Sequence, residues 1–116
     1  MKKFLWLSLV CMVVLAGCSG SKAVTNGQNL YFERGCVSCH ARDDSYSVGP
    51  SWKGLYGSEV RLDDGSSVIA DDAYLLESIL DPTAKIVEGY APGSMPPNGL
   101  TETEAKQLIE YIKTLR

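Results

Sequence analysis

The chain has 116 residues, with 11 Lys and Arg against 14 Asp and Glu, a formal net charge of −3. That balance excludes a nucleic-acid binder working through a basic face. Hydrophobic residues make up 45% and charged residues 22%, a composition that folds, and the length allows one small domain. One His (His40), four Cys (Cys11, Cys18, Cys36, Cys39) and three Met (Met1, Met12, Met95) leave few ways to build a metal site.

Lys2 and Lys3 open the chain, and Phe4 to Ala16 follows with Ser8 as its one polar residue. As a helix this run would reach about 20 Å, against roughly 30 Å of bilayer hydrocarbon. A positive start, a short apolar core and small residues at its end predict a secretory signal. Leu15-Ala16-Gly17-Cys18 resembles the lipobox of bacterial lipoproteins. The resemblance implies cleavage before Cys18 and acylation of its thiol and amine. The alternative is an ordinary cleaved signal that leaves Cys18 free. Several acyl chains on one residue anchor a domain stably, which a single chain does not. The expected division is a signal over 1–17, a lipidated tether over 18–25, and a folded domain over 26–116. Loss of the signal removes two of the 11 basic residues and no acidic one, so the exported part carries a net charge of −5.

A first helix is predicted from Thr25 or Asn26 to Arg34, with Asn26 as cap and Gly35 as stop. Residues 41–59 contain Gly49-Pro50, Gly54 and Gly57 and read as loop with one helical turn at most. Val60 to Ile69 alternates around Asp64-Gly65, a small hairpin signal near 60–69. Asp71 or Asp72 caps a second helix that runs to Leu80 and stops at Asp81-Pro82. Residues 82–100 hold four prolines and three glycines and form an irregular loop. Thr101 to Glu104 is a capping box, and Ala105, Leu108, Ile109, Ile112 and Leu115 follow at helical spacing. Three helices and long Gly/Pro loops bury a limited apolar area, so such a domain needs a staple. A large apolar cofactor would provide one.

Cys36-Val37-Ser38-Cys39-His40 is C-x-x-C-H, the attachment motif of c-type haem. Thiols three residues apart on a helical turn can reach the two vinyl groups on one porphyrin edge. The next residue then directs its imidazole at the iron. Three other readings compete. Zinc needs about four ligands, and the exported chain has no second His. A redox dithiol would sit between a strand and a helix, whereas the preceding segment reads as helix. A Cys36–Cys39 disulfide would leave His40 unexplained. The sixth iron ligand is argued by elimination. Met95, in the loop Gly93 to Pro97, is the one methionine of the exported part, and Pro96 and Pro97 stiffen that loop. A thioether raises the reduction potential relative to a second imidazole. The competing reading makes Met95 a packing residue, with the site open or taken by Lys or Tyr.

Over residues 26–116 the sequence resembles a class I cytochrome c. The carrying stretches are Gly27 to Tyr31, Cys36 to His40, Gly49-Pro50, Gly54 to Gly57, Asp71 to Pro82, Gly89-Tyr90, Met95-Pro96 and Leu108 to Leu115. It is most similar to the cytochrome c domains of haem–copper oxidase subunit II. The resemblance implies an all-α fold, three to four helices around one covalently bound haem c, with the possible hairpin as an addition. It implies that the first and last helices cross where Gly27 and Tyr31 meet Leu108 and Tyr111. It implies that the Pro50 carbonyl accepts the His40 Nδ1–H, and it makes Trp52, Tyr56 and Arg61 candidates for the haem propionates. The Pro82 to Met95 loop is longer than in mitochondrial-type members, which removes the basis for transferring partner-docking residues.

The expected function is electron transfer rather than enzyme catalysis. The expected protein is a lipid-anchored monohaem carrier outside a bacterial cytoplasmic membrane, exchanging single electrons in a respiratory chain with an oxidase or quinol-oxidising complex. Two alternatives stand beside it: a fixed haem subunit of a larger respiratory complex, and an open-site haem sensor or enzyme.

Overall fold

The computed structural model describes residues 18–116. The signal expected over 1–17 lies outside the described residues. The elements are α1 (Cys18–Glu33), a 3₁₀ turn (Cys36–Ser38), β1 (Glu59–Arg61), β2 (Ser67–Ile69), α2 (Asp72–Leu80) and α3 (Glu102–Ile112). Three helices with one small two-stranded antiparallel sheet make the class I cytochrome c architecture that the resemblance implied.

Helix α1 begins eight residues before Asn26, so the stretch expected as a tether over 18–25 is helical. The reason lies downstream. Leu30 and Tyr31 are buried and Val24 packs against the core, which fixes the helix nucleus. Once nucleated, each added turn costs only propagation. Thr25 Oγ1 bonds the Ser21 carbonyl at 3.1 Å on the exposed face.

Helix α1 crosses α3 at Gly27. A methyl group there would collide with the Gln107 carbonyl oxygen and come within 2.8 Å of Tyr111 Cβ. The missing side chain is what allows the two backbones to touch. Tyr31 packs on Tyr111 beside the crossing, with ring centroids 5.6 Å apart. On α3, Ala105, Leu108, Ile109, Tyr111 and Ile112 are buried, the stripe predicted from spacing. The helix ends at Ile112. Leu115 continues the packing from two tighter turns, where Thr114 N–H bonds the Tyr111 carbonyl and Leu115 N–H bonds the Ile112 carbonyl.

The caps of α2 and α3 are as predicted, whereas Asn26, expected to cap the first helix, lies inside α1. Asp71 accepts the Tyr74 N–H at 2.8 Å and starts α2. Thr101 and Glu104 bond reciprocally at the start of α3. Glu104 also receives Arg34 at 2.8 Å, tying the α3 cap to the end of α1.

Strands β1 and β2 pair Glu59 with Ile69, Val60 with Val68 and Arg61 with Ser67. The sequence offered no sign that the long loop joins this hairpin. Val87 bridges Leu62, Asp63 N–H bonds the Ile86 carbonyl at 2.9 Å, and Glu88 N–H bonds the Arg61 carbonyl at 2.9 Å. The loop between α2 and α3 is thereby laid along the free edge of β1.

Two predictions follow from these contacts. Gly27→Ala is expected to destabilise the protein by about 2–4 kcal/mol, because backbone must move to admit the methyl. Gly20→Ala, on the same helix with open space around it, should add up to about 1 kcal/mol. Thermal denaturation of the two variants checks the sign. The bonds from Thr101 hold the Glu104 carboxyl below its ordinary pKa, and Arg34 lowers it further. The folded state therefore binds fewer protons than the unfolded one. The stabilisation is complete above the ordinary glutamate pKa and is lost as pH falls through the depressed one. Glu104→Gln should flatten that acid limb of the stability–pH profile and lower stability at neutral pH.

Candidate haem site

Cys36, Cys39, His40, Pro50 and Met95 all line one cavity of about 520 Å³, with largely apolar walls. Its walls come from distant parts of the chain: the 3₁₀ turn, the irregular segment 48–52, β1, α2, the Ile86 to Met95 loop and α3. The size and apolar lining suit a large flat cofactor. Cys36 and Cys39 are both free thiols, half-buried, so neither is spent on a disulfide. Among the described residues no cluster of three or more His, Cys, Asp or Glu side chains is arranged to hold a metal ion.

The His40 side of the cavity is held from several directions. The turn carrying the motif closes with His40 N–H on the Cys36 carbonyl at 2.9 Å. The buried Tyr31 hydroxyl donates to the His40 carbonyl at 2.7 Å. His40 Nδ1–H donates to the Pro50 carbonyl at 2.8 Å, the contact implied by the resemblance. That bond fixes the ring and leaves the Nε2 lone pair for a metal. Burial pushes the His40 pKa below its ordinary value, more than the Pro50 bond raises it, so the ring is neutral at pH 7. Burial likewise pushes the Cys36 thiol up.

Two more residues complete this side. Trp52 stacks on the His40 ring, with centroids 5.2 Å apart and planes at 26°. Trp52 in turn packs on Tyr31 at 5.1 Å. Gly49 lies against the imidazole, where a Cβ would stand 3.0 Å from the ring and 2.9 Å from the Cys39 carbonyl. Elsewhere on the cavity wall, Ser78 of α2 has a buried hydroxyl without a hydrogen-bond partner. The Gly-Pro pair was visible in the sequence as a turn. Its closeness to the ring was not, because that depends on Gly49 N–H bonding back to the Cys39 carbonyl at 2.6 Å and Trp52 N–H to the Ala41 carbonyl at 2.8 Å.

On the facing side, Met95 is half-buried in its Pro/Gly loop. Asn98 Nδ2 donates to the Ile79 carbonyl at 2.7 Å and accepts the Leu100 N–H at 3.0 Å, which fastens this loop to the end of α2.

The candidate propionate partners separate. Trp52 and Arg61 line the cavity, whereas Tyr56 does not. Tyr56 sits under the Lys113 ammonium, 5.1 Å from its ring centroid. Trp52 is buried against His40, and Arg61 pairs with Glu88 at 3.2 Å in a mostly exposed bridge. Lys85 is a further cavity-lining cation, paired with Glu77. Cys18 stands at the first residue of α1, apart from this site in sequence.

The residues present fit a haem: two free thiols and an oriented neutral imidazole on one side, a thioether on a stiff loop opposite, and apolar walls between. Comparison with known proteins agrees. The sequence matches the family described as Cytochrome c over residues 24–116. It is 37% identical over 92 residues to a cytochrome c-551 of Azotobacter vinelandii, covering 76% of this chain and 95% of that protein. It is 32% identical over 95 residues to a cytochrome c-551 of Pseudomonas denitrificans, covering 79% and 100%. A cytochrome c-551 of Ectopseudomonas mendocina is 31% identical over 91 residues, covering 78% and 99%. The chain belongs to the cytochrome c family: it is a class I monohaem c-type cytochrome, with one covalently bound haem c, that carries electrons between redox partner proteins.

Proposed function

We propose that this cytochrome is exported, anchored to the outer face of a bacterial cytoplasmic membrane through lipid on Cys18, and exchanges single electrons in a respiratory chain with an oxidase or quinol-oxidising complex. Within the site, Cys36 and Cys39 would hold a haem through thioether links, His40 and Met95 would ligate its iron, and the Pro50 carbonyl orients His40. The observation that carries the ligand set is the gathering of both thiols, the one imidazole and Met95 on one apolar cavity, with the imidazole already bonded at Nδ1.

The haem iron, when bound, supplies a ferrous–ferric couple. The protein residues do the rest. The Pro50 bond, the Trp52 stack and Gly49 hold the imidazole in one orientation. Pro96, Pro97 and the Asn98 bond hold the Met95 loop. Ligand positions that stay put as the charge changes keep reorganisation small. A thioether in the sixth position raises the potential and leaves oxygen no vacant site. The apolar walls exclude water and strengthen every local dipole.

Exposed apolar side chains cluster near the haem-bearing turn: Val37, Val48 and Tyr46, the last 96% exposed. Such a patch suits a small, transient interface for a mobile carrier. The lipid-box resemblance ending at Cys18 supports attachment to the membrane. Helix α1 runs directly from that residue, so an acyl anchor there would sit one helix length, about 24 Å, from Glu33.

Two substitutions test this reading. Met95→Ala should abolish the sulfur–iron absorption band, lower the reduction potential and let carbon monoxide bind the ferrous protein at neutral pH. Retention of the band would contradict the ligand assignment. Cys18→Ala should release the cytochrome from the membrane fraction of a lipoprotein-processing host. An unchanged membrane fraction would contradict the anchor. Recovery of the native protein in a stable large assembly after mild detergent would favour a fixed subunit over a shuttle.

A further inference from the structure

Helix α1 runs without a break from Cys18 to Glu33. Backbone bonds continue from its last turn into the turn that carries the haem thiols. Arg34 N–H bonds the Leu30 carbonyl at 2.9 Å, Gly35 N–H the Phe32 carbonyl at 3.2 Å, and Ser38 N–H the Gly35 carbonyl at 3.0 Å. The middle of the helix is clamped. Val24 packs against the core, and Leu30 and Tyr31 are buried. Gly27 lies so close to α3 that a Cβ would stand 2.0 Å from the Gln107 carbonyl oxygen. Ahead of Val24 the helix has six residues, and Thr25 Oγ1 braces them on the Ser21 carbonyl at 3.1 Å. A helical stretch of that length spans about 9 Å, whereas the same stretch as flexible chain reaches out to about 20 Å.

Charge divides along the chain in the same place. From Cys18 to Phe32 the one charged residue is Lys22. Residues 33–116 hold 8 basic and 14 acidic residues, a net charge of −6. An anionic membrane surface attracts the first segment and repels the rest. On a flexible tether the acidic domain would stand off that surface as far as the tether allows. A helix of fixed length removes the freedom to do so.

We propose that α1 is a strut: its N-terminal end seats on the headgroups of an anionic bilayer and holds the haem-bearing turn at a fixed distance, against the repulsion of the acidic domain. The helix length, about 24 Å, is the upper limit on the height of Glu33 above Cys18. A redox partner in the membrane must present its site near that height. The inference rests on the Cys18 anchor proposed above.

The first test needs no lipid. In matured holoprotein exported without acylation, Cys18 is the free thiol, because Cys36 and Cys39 hold the haem. A fluorophore on Cys18 transfers energy to the haem, and its emission decay gives the spread of distances. The parent should give one narrow distribution. Gly20→Ala, in open space, should keep it narrow. Ala23→Pro, which delays the start of the helix, should widen it about twofold. Equal widths for the parent and Ala23→Pro would overturn the strut. The second test places acylated holoprotein on phosphatidylglycerol vesicles that carry a headgroup fluorophore. Quenching of that fluorophore by the haem should be strong and indifferent to salt. A flexible Gly/Ser segment of about eight residues inserted between Cys18 and Ser19 should lower it about twofold at low salt, and quenching should then rise as salt screens the repulsion. Parent quenching that rises with salt in the same way would overturn the proposal. Broad distances in a parent that is acylated and vesicle-bound would overturn the strut and leave the anchor standing. Parent protein recovered without acyl chains and off the vesicles would contradict the anchor itself, and the seat on the bilayer with it.

Discussion

An apolar cavity that the chain cannot fill by itself governs this structure. Its space of about 520 Å³ is a half-open cleft with largely apolar walls, surface that is costly to leave against water. The turn after α1, helices α2 and α3, β1 and the long loop each give a wall to this space, so none of them packs completely without an occupant. A covalently attached haem meets this demand, because a bound group that cannot leave works as part of the core. The stabilising cofactor and the redox cofactor are then one object.

The two sides of the cavity are built differently. The His40 side is over-determined: Tyr31 holds the backbone, Pro50 the ring nitrogen, Trp52 one face of the ring, and Gly49 closes in beside it. This side leans on the α1–α3 crossing at Gly27, where a Cβ would stand 2.0 Å from the Gln107 carbonyl oxygen. The Met95 side hangs on fewer contacts. Asn98 ties its loop to α2, and Ile86 to Glu88 lie along β1. Local stability follows contact density, so the Met95 loop is expected to be the first part of the protein to open. A rigid imidazole side facing a separately fastened thioether side lets the loop adjust the potential without disturbing the haem attachment.

Much of this was legible in the sequence where chemistry is local. The Cys36 to His40 motif, the Asp71 cap, the Thr101–Glu104 box and the stripe on α3 are all read from residues within one or two turns of each other. The two Cys and one His of the motif need only helical spacing to come together. What escaped depends on distant chain. The edge pairing of Val87 with Leu62 joins segments 25 residues apart and leaves no periodic mark on a Pro/Gly loop. Trp52 was read as a candidate for a propionate, and the stacking of its ring on His40 could not be read from spacing. Tyr56 was read the same way and faces Lys113 on the surface. The start of α1 was placed too late, because small polar residues are weak helix formers and only tertiary anchoring at Val24 and Leu30 carries the helix through them. Ser78 was invisible, since a serine on a helix face means nothing until the cavity beside it is known.

The direct measurement is the intact mass of the chain produced in a host competent for c-type maturation, with thiol alkylation under denaturing conditions. One haem retained through denaturation, with Cys36 and Cys39 both closed to alkylation, is the predicted result. A folded, colourless protein of unmodified mass with both thiols alkylated would contradict the account.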